Sequence, residues 1–253
     1  GNILSDVMQQ ELYEFWLADP YTIKHSQGIT RGKNDKIDAE RIALYASRNF
    51  ADRVEYQVDE NFFRALEYLQ NEKESYINER AKYKGQLKDQ EPFFSKALFE
   101  DKKKRLHRAI TILDKNIKEI DNKILKLIKE NPEINRQYTL ATTVKGVGPQ
   151  TAIDTIIATR GFVKFQSARA FTCHAGCAPF EYKSGISVHS RKKVSMRADK
   201  NLKKRYHMAA LSAVRATGEL QTYYIRKVSE GKSKMSVLNA IRAKLIHRVF
   251  AVV

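Results

Sequence analysis

The chain has 253 residues, 42% of them hydrophobic, and carries 46 Lys and Arg against 29 Asp and Glu, a net charge of +17. That size allows one or two cores of roughly 100–200 residues, and the charge calls for a polyanionic partner, nucleic acid or an anionic membrane surface. No apolar run reaches the ~18 residues of a spanning helix and no signal peptide opens the chain, so membrane partners are set aside; two cysteines are too few for a secreted disulfide framework, which points to a reducing cytosol.

Residues 1–57 read as a partial α/β piece. Asn2 to Gln10 patterns as a helix, and Leu12 to Leu17 as a strand, apolar nearly throughout. Asp19-Pro20 marks a turn, His25 to Gly32 a basic loop, and Asp35 to Phe50 a helix. This helix opens on Lys33-Asn34-Asp35-Lys36-Ile37-Asp38-Ala39. Carboxylates three positions apart share a helix face, and Mg²⁺ is usually held by one or two carboxylates together with substrate phosphates. Asp35 and Asp38 are therefore candidate Mg²⁺ ligands, with Lys33, Lys36 and Arg41 suited to a polyanion. The plainer reading is helix capping, Asp35 at the N-cap and Asp38 as its third-position partner.

Residues 58–133 read as a coiled coil. Leu106, Ile110, Leu113, Ile117, Ile120, Ile124 and Leu127 recur at alternating spacings of four and three, a heptad seam. Phe62, Leu66, Leu69, Tyr76, Tyr83 and Leu87 follow the same spacing upstream, but Lys73 and Arg80 fall on that seam. With Lys88 to Ser95 as a break, two long helices form an antiparallel hairpin, or one helix pairs with another chain. The strength of the second seam predicts a dimer or higher homo-oligomer through this region.

Residues 134–253 read as a second compact, helical unit. Val144-Lys145-Gly146-Val147-Gly148-Pro149 joins two helix-like segments and looks like a helix-hairpin-helix element. Glycines there would let backbone N–H groups approach a phosphate at the next helix N-terminus; a plain tight turn is the alternative. Lys145, Gly146 and Gly148 are thus candidate nucleic-acid contacts. Cys173, His174 and Cys177 lack the second ligand pair that a structural zinc needs and read as small buried thiols with a neighbouring histidine. Ser184-Gly185 follows, just ahead of a dense cationic stretch. Lys183, Arg191, Lys192, Lys193, Arg197, Lys203 and Lys204 are the candidate nucleic-acid contacts there. A hydroxyl in such a field could attack a phosphodiester while the cations stabilise the developing charge, or Ser184 could simply shape a turn. Helices are expected over Asp199 to Thr217, around Tyr223 and Tyr224, and from Lys234 to Val253.

These pieces in this order resemble the DEDD insertion-sequence transposases of bacteria, a family that includes the Piv-type DNA invertases and the bridge-RNA-guided recombinases. Lys33 to Ala39 looks like the Lys-Thr-Asp-Lys-x-Asp-Ala signature, with Asn34 in place of Thr. Val144 to Ala152, Gly176-Cys177-Ala178-Pro179 and Ser184-Gly185 look like the C-terminal transposase domain. The resemblance implies a RuvC-like, RNase H-type fold for the N-terminal piece, with four Mg²⁺-binding acids, then a coiled coil and a helical domain bearing a nucleophilic serine. Asp35 and Asp38 match the last two acids and Ser184 the serine. It implies DNA as substrate, a guide (bridge) RNA as partner, a covalent serine–DNA intermediate and a bacterial cytoplasmic location. The first Asp and the Glu of the set have no counterpart here, so the chain is expected to be truncated and to hold half the metal site, inactive by itself. A non-catalytic helix-hairpin-helix binding module and a RuvC-like, water-using nuclease are the competing readings.

Overall fold

The computed structural model describes residues 2–11, 13–26, 28, 34–53, 61–178, 183–184, 188–189 and 194–253. The chain divides into two compact units, 1–61 and 62–253, and no helix among the described residues is long and apolar enough to cross a membrane.

The first unit holds three helices, α1 (Asn2–Gln10), α2 (Pro20–His25) and α3 (Asp35–Arg48). The Asp19-Pro20 turn is the start of α2: Asp19 Oδ1 accepts from the Tyr21 N–H at 3.2 Å, and Pro20 takes the first helical position, where its missing N–H costs nothing. The expected strand does not form. Leu12 lies outside the described residues, and Tyr13 to Leu17 run without strand pairing. An isolated strand leaves its backbone N–H and C=O groups unpaired, and no described residue of this unit offers an edge to pair with. Tyr13 and Leu17 are instead exposed. The partial α/β, RuvC-like expectation for residues 1–57 is therefore corrected: the described part of this unit is helical, and the protein is mostly α.

The second unit begins with the hairpin. Helix α4 (Asn61–Asp89) and helix α5 (Lys96–Glu130) are joined through a short 3-10 turn at Glu91–Phe93. They run antiparallel. Arg80 Nη1 bonds Asp114 at 2.6 Å, and Lys73 Nζ bonds Asp121 and Gln150. The two charges that interrupt the α4 heptad are thus the groups that pair it with α5. Lys73 is only 5% exposed, and a buried ammonium needs such partners. Phe63 and Leu66 of α4 close a core with Ile120, Ile124 and Ile128 of α5, so the α5 seam is covered within the chain.

Helices α6 (Pro132–Thr143) and α7 (Pro149–Thr159) extend that core through Ile134, Ile153, Ile156 and Ile157. Then come α8 (Ala168–His174), a two-residue hairpin of β1 (Lys183–Ser184) and β2 (Val188–His189), α9 (Lys200–Arg215), α10 (Glu219–Ser229) and α11 (Lys234–Val252). Helix α11 is the axis of the second core. Its Val237, Ile241, Leu245 and Val249 are fully or nearly fully buried. Ala209, Ala210 and Ala213 of α9 are buried in the same cluster, and small residues let helix backbones approach closely. Tyr206 of α9 is fully buried, and its hydroxyl meets Thr155 Oγ1 of α7 at 2.8 Å. Burial raises that phenol well above its usual range.

A polar relay ties the hairpin to this bundle. Asp154 accepts from Arg205 Nε at 2.6 Å and from Gln150 Nε2 at 2.8 Å, and Arg205 Nη2 bonds Glu74 at 2.7 Å. Burial raises the Asp154 pKa, opposed by Arg205. Removing one partner of a buried pair strands the other, at a cost of about 3–5 kcal/mol. Arg205→Ala is therefore expected to destabilise the unit by about 3 kcal/mol, the lower end because Arg205 keeps some solvent contact. Denaturant unfolding checks this. Arg205→Met combined with Asp154→Leu should restore most of the loss, and no recovery would refute an electrostatic origin.

Candidate DNA-processing site

Asn34 Oδ1 accepts from the Ile37 N–H at 2.8 Å, with an extended backbone, so Asn34 is the N-cap of α3. Asp35 is then the first helical residue and Asp38 lies one turn later. Neither caps the helix, so that alternative for Asp35 is corrected. Asp35 is exposed. Asp38 is half exposed and accepts from Arg41 Nη1 at 3.2 Å. Both sit in the first turn, where the helix dipole favours negative charge. Lys33 lies outside the described residues. Among the described residues no group of three or more His, Cys, Asp or Glu is placed to hold a metal.

The α6–α7 turn places the next candidates. Lys145 spends its ammonium on the Thr217 carbonyl at the end of α9. Gly146 has φ +99°, and a Cβ there would come within 2.6 Å of the Ala213 Cβ and 2.9 Å of the Ala209 carbonyl oxygen. The glycine is what lets this turn lie against α9. Gly148 is different: no described residue comes within 4 Å of the place of a Cβ there, and it is the N-cap of α7, with Pro149 following. Gly146→Ala is expected to cost at least about 1–3 kcal/mol, the usual range for overpacking, with backbone strain added. Gly148→Ala should lose only the modest N-cap preference of glycine. Thermal melts of the two variants check this, and equal melting temperatures would refute it.

Ser184 is in β1, with Ser184 opposite Val188 and Lys183 opposite His189 across the hairpin. The side chains of Lys183 and Ser184 lie outside what is described, as do residues Arg191, Lys192 and Lys193 entirely. The approach to this hairpin is well held. Cys177 is 1% exposed, burial pushes its thiol up to about 11, and its carbonyl accepts from Asn239 Nδ2 of α11 at 2.9 Å. Gly176 has φ +64°, with Ala198 and Lys203 packed against the space of a Cβ. Downstream, Arg197 precedes α9, and Asp199 caps that helix through the Asn201 and Leu202 N–H groups. Lys203 thus lies against the Gly176 turn, whereas Lys204 faces Glu74 at 3.7 Å. Asp35 and Asp38 belong to the first unit, Ser184 and the other candidates to the second.

Residues 138–225 match the family model described as Transposase IS116/IS110/IS902 family. Residues 1–90 match the model for the DEDD transposase of IS110 type, described as Transposase. The chain belongs to the IS110-type transposase family. The resemblance read from Lys33 to Ala39 and from Val144 to Gly185 is borne out by these two matches, in the expected order. Among its relatives is a pilin gene-inverting protein of Moraxella bovis, 27% identical over 231 residues, 90% of this chain and 68% of the relative. Its counterpart from Moraxella lacunata is 26% identical over the same shares. An insertion element IS110 protein of 43.6 kDa from Streptomyces coelicolor is 24% identical over 146 residues, 58% of this chain and 35% of that one.

The second unit also contains charged groups that the sequence did not single out. Arg242 of α11 is 5% exposed; its Nη2 meets His207 Nδ1 at 2.8 Å, and its buried Nε has no hydrogen-bond partner among the described residues. The available signal was an arginine directly after Ile241 inside an apolar run. A cleft of about 380 Å³ opens between α4 and the bundle, lined by Glu74, Asp154, Arg160, His174, Asp199 and Arg205 among others. These groups come from four helices and two loops, and no motif connects them.

Proposed function

We propose that this IS110-type transposase chain cuts and rejoins DNA, with Ser184 as nucleophile and Asp35 and Asp38 as carboxylates for Mg²⁺. The observation that carries this reading is the first turn of α3. Asn34 performs the capping, so capping does not account for the two aspartates beside it. An exposed carboxylate and a half-exposed one, a helical turn apart, suit a hard cation that keeps part of its coordination for water and phosphate. When bound, Mg²⁺ would supply charge stabilisation at the phosphodiester oxygens.

The chain's own groups do the rest. The Ser184 Oγ–phosphorus bond forms as one bond from phosphorus to a sugar oxygen breaks, and the hydroxyl proton ends on the leaving sugar oxygen. The strand is held covalently, so its bond energy is kept for rejoining. Lys203 and the cations around residues 191–197 balance the phosphate charge. The net +17 suits both DNA and a guide (bridge) RNA, and the resemblance supports the guide. A homo-oligomer through the coiled coil would use its outer faces, where Tyr68 and Ile112 are exposed, because α4 already covers the inner seam. Bacterial cytoplasm is the matching location. The test is a denaturation-resistant protein–DNA adduct, formed with Mg²⁺, guide and labelled DNA, that maps to Ser184. Cleavage without any adduct would instead favour hydrolysis by water.

A further inference from the structure

We propose that the free end of the α4–α5 hairpin is a separate binding site for single-stranded nucleic acid. Bases would stack on Phe93, and phosphates would pair with Lys96, Lys104, Arg105 and Arg108. The proposal goes beyond the serine chemistry and does not depend on it.

The chain reverses here through Glu91-Pro92-Phe93. Tight turns are normally polar, yet Phe93 is 82% exposed, Leu98 67% and Phe94 48%. A single exposed apolar side chain is ordinary, but here they cluster and lie among cations. Residues 82–108 contain nine Lys and Arg against four Asp and Glu, a net +5. Some of these charges are already used. Lys82 pairs with Glu79 and Lys103 with Glu100. Lys102 bonds Gln90 and sits 5.4 Å over the Phe94 ring, which holds that ring in place.

Lys96, Lys104, Arg105 and Arg108 are exposed and form no ion pair among the described residues. Lys104 and Arg108 are one helical turn apart, so they stack along α5. Leu98, Arg105 and the exposed Ile112 repeat at seven-residue intervals, which keeps them along one stripe of the helix. The apolar and cationic groups therefore share the outer surface of α5, while Ile110 and Ile117 face the seam.

An aromatic ring flanked by unpaired cations matches an unstacked base and its phosphates, the chemistry of single-strand binding. Duplex DNA offers no free base face to Phe93. A second copy of the tip would bring two +5 surfaces together, which is repulsive. Helix α4 sets this end off from the Phe63–Leu66 core by roughly 40 Å at 1.5 Å per residue, out where a loop of a long nucleic acid can be reached.

The experiment uses the whole chain with fluorescent oligouridylate and oligothymidylate, read by anisotropy without any cleavage step. Phe93→Ala, at a position too exposed to matter for folding, is expected to weaken binding at least about fivefold, as when one base loses its stacking partner. Lys104→Gln with Arg105→Gln should reduce the log–log salt slope by about 1.4, or 0.7 per single-strand phosphate contact. The controls Lys115→Gln and Lys126→Gln remove two exposed cations farther along α5, paired with Glu119 and Glu130, and should leave both readings unchanged. Preference for oligouridylate assigns the site to RNA, and equal binding assigns it to any single strand. Wild-type binding by Phe93→Ala overturns the proposal. So does a change of oligomeric state in light scattering with binding unaltered, which would make the tip a contact between copies. Loss of the Ser184 adduct assay would leave these readings untouched.

Discussion

Asp35→Ala and Asp38→Ala are expected to abolish strand cleavage in recombination-competent protein while leaving folding and DNA binding nearly intact. The Asn34 cap separates the roles cleanly. A side chain at the N-cap contributes about 0.5–2 kcal/mol to stability, and here that contribution belongs to Asn34. Asn34→Ala should therefore lower the melting temperature and spare chemistry. Asp35→Ala should do the reverse, because it removes only a surface carboxylate with a small favourable dipole term. Loss of several kcal/mol of transition-state stabilisation from a metal site corresponds to a rate loss of about a thousandfold or more. Asp38→Ala also removes the Asp38–Arg41 ion pair, a surface interaction contributing at most about 1 kcal/mol. A single-turnover cleavage assay beside a thermal melt distinguishes the two roles. Full cleavage by either aspartate variant would refute the catalytic role.

Ser184→Ala should show no covalent protein–DNA adduct and no strand joining, with DNA binding retained. A methyl group in place of the hydroxyl cannot form the Oγ–phosphorus bond, so the loss is complete rather than graded. The substitution falls in a two-residue strand, whose pairing uses backbone groups that alanine also provides, so folding should hold. Ser184→Cys tests the same point in the other direction. A thiolate can attack phosphorus, and any residual adduct should become sensitive to the chemistry of a sulfur–phosphorus bond. Cleavage by Ser184→Ala at the wild-type rate would show that water is the nucleophile. Binding lost in parallel would show that the hairpin shapes the DNA surface.

Local pattern was legible in the sequence, and so was family membership. The heptads of 106–127, the turn at Gly146 and Gly148, and the order of the Asp35–Asp38 and Ser184 motifs depend on near neighbours along the chain. Periodicity, glycine spacing and motif order are readable without a fold. The N-terminal piece misled because Leu12 to Leu17 has the composition of a buried strand, and composition does not supply the neighbouring edge that a strand needs. Tertiary structure alone decided which groups are used up. Lys73 and Arg80, blemishes in a heptad, are the charges that pair α4 with α5. Lys145, a candidate phosphate contact, is held by the Thr217 carbonyl 72 residues away. Gly146 serves packing against Ala213, and Asp154 finds Arg205 across 51 residues. A side chain's residue type states what it can bind, but its partner is set by whatever distant helix the packing of two cores brings within reach.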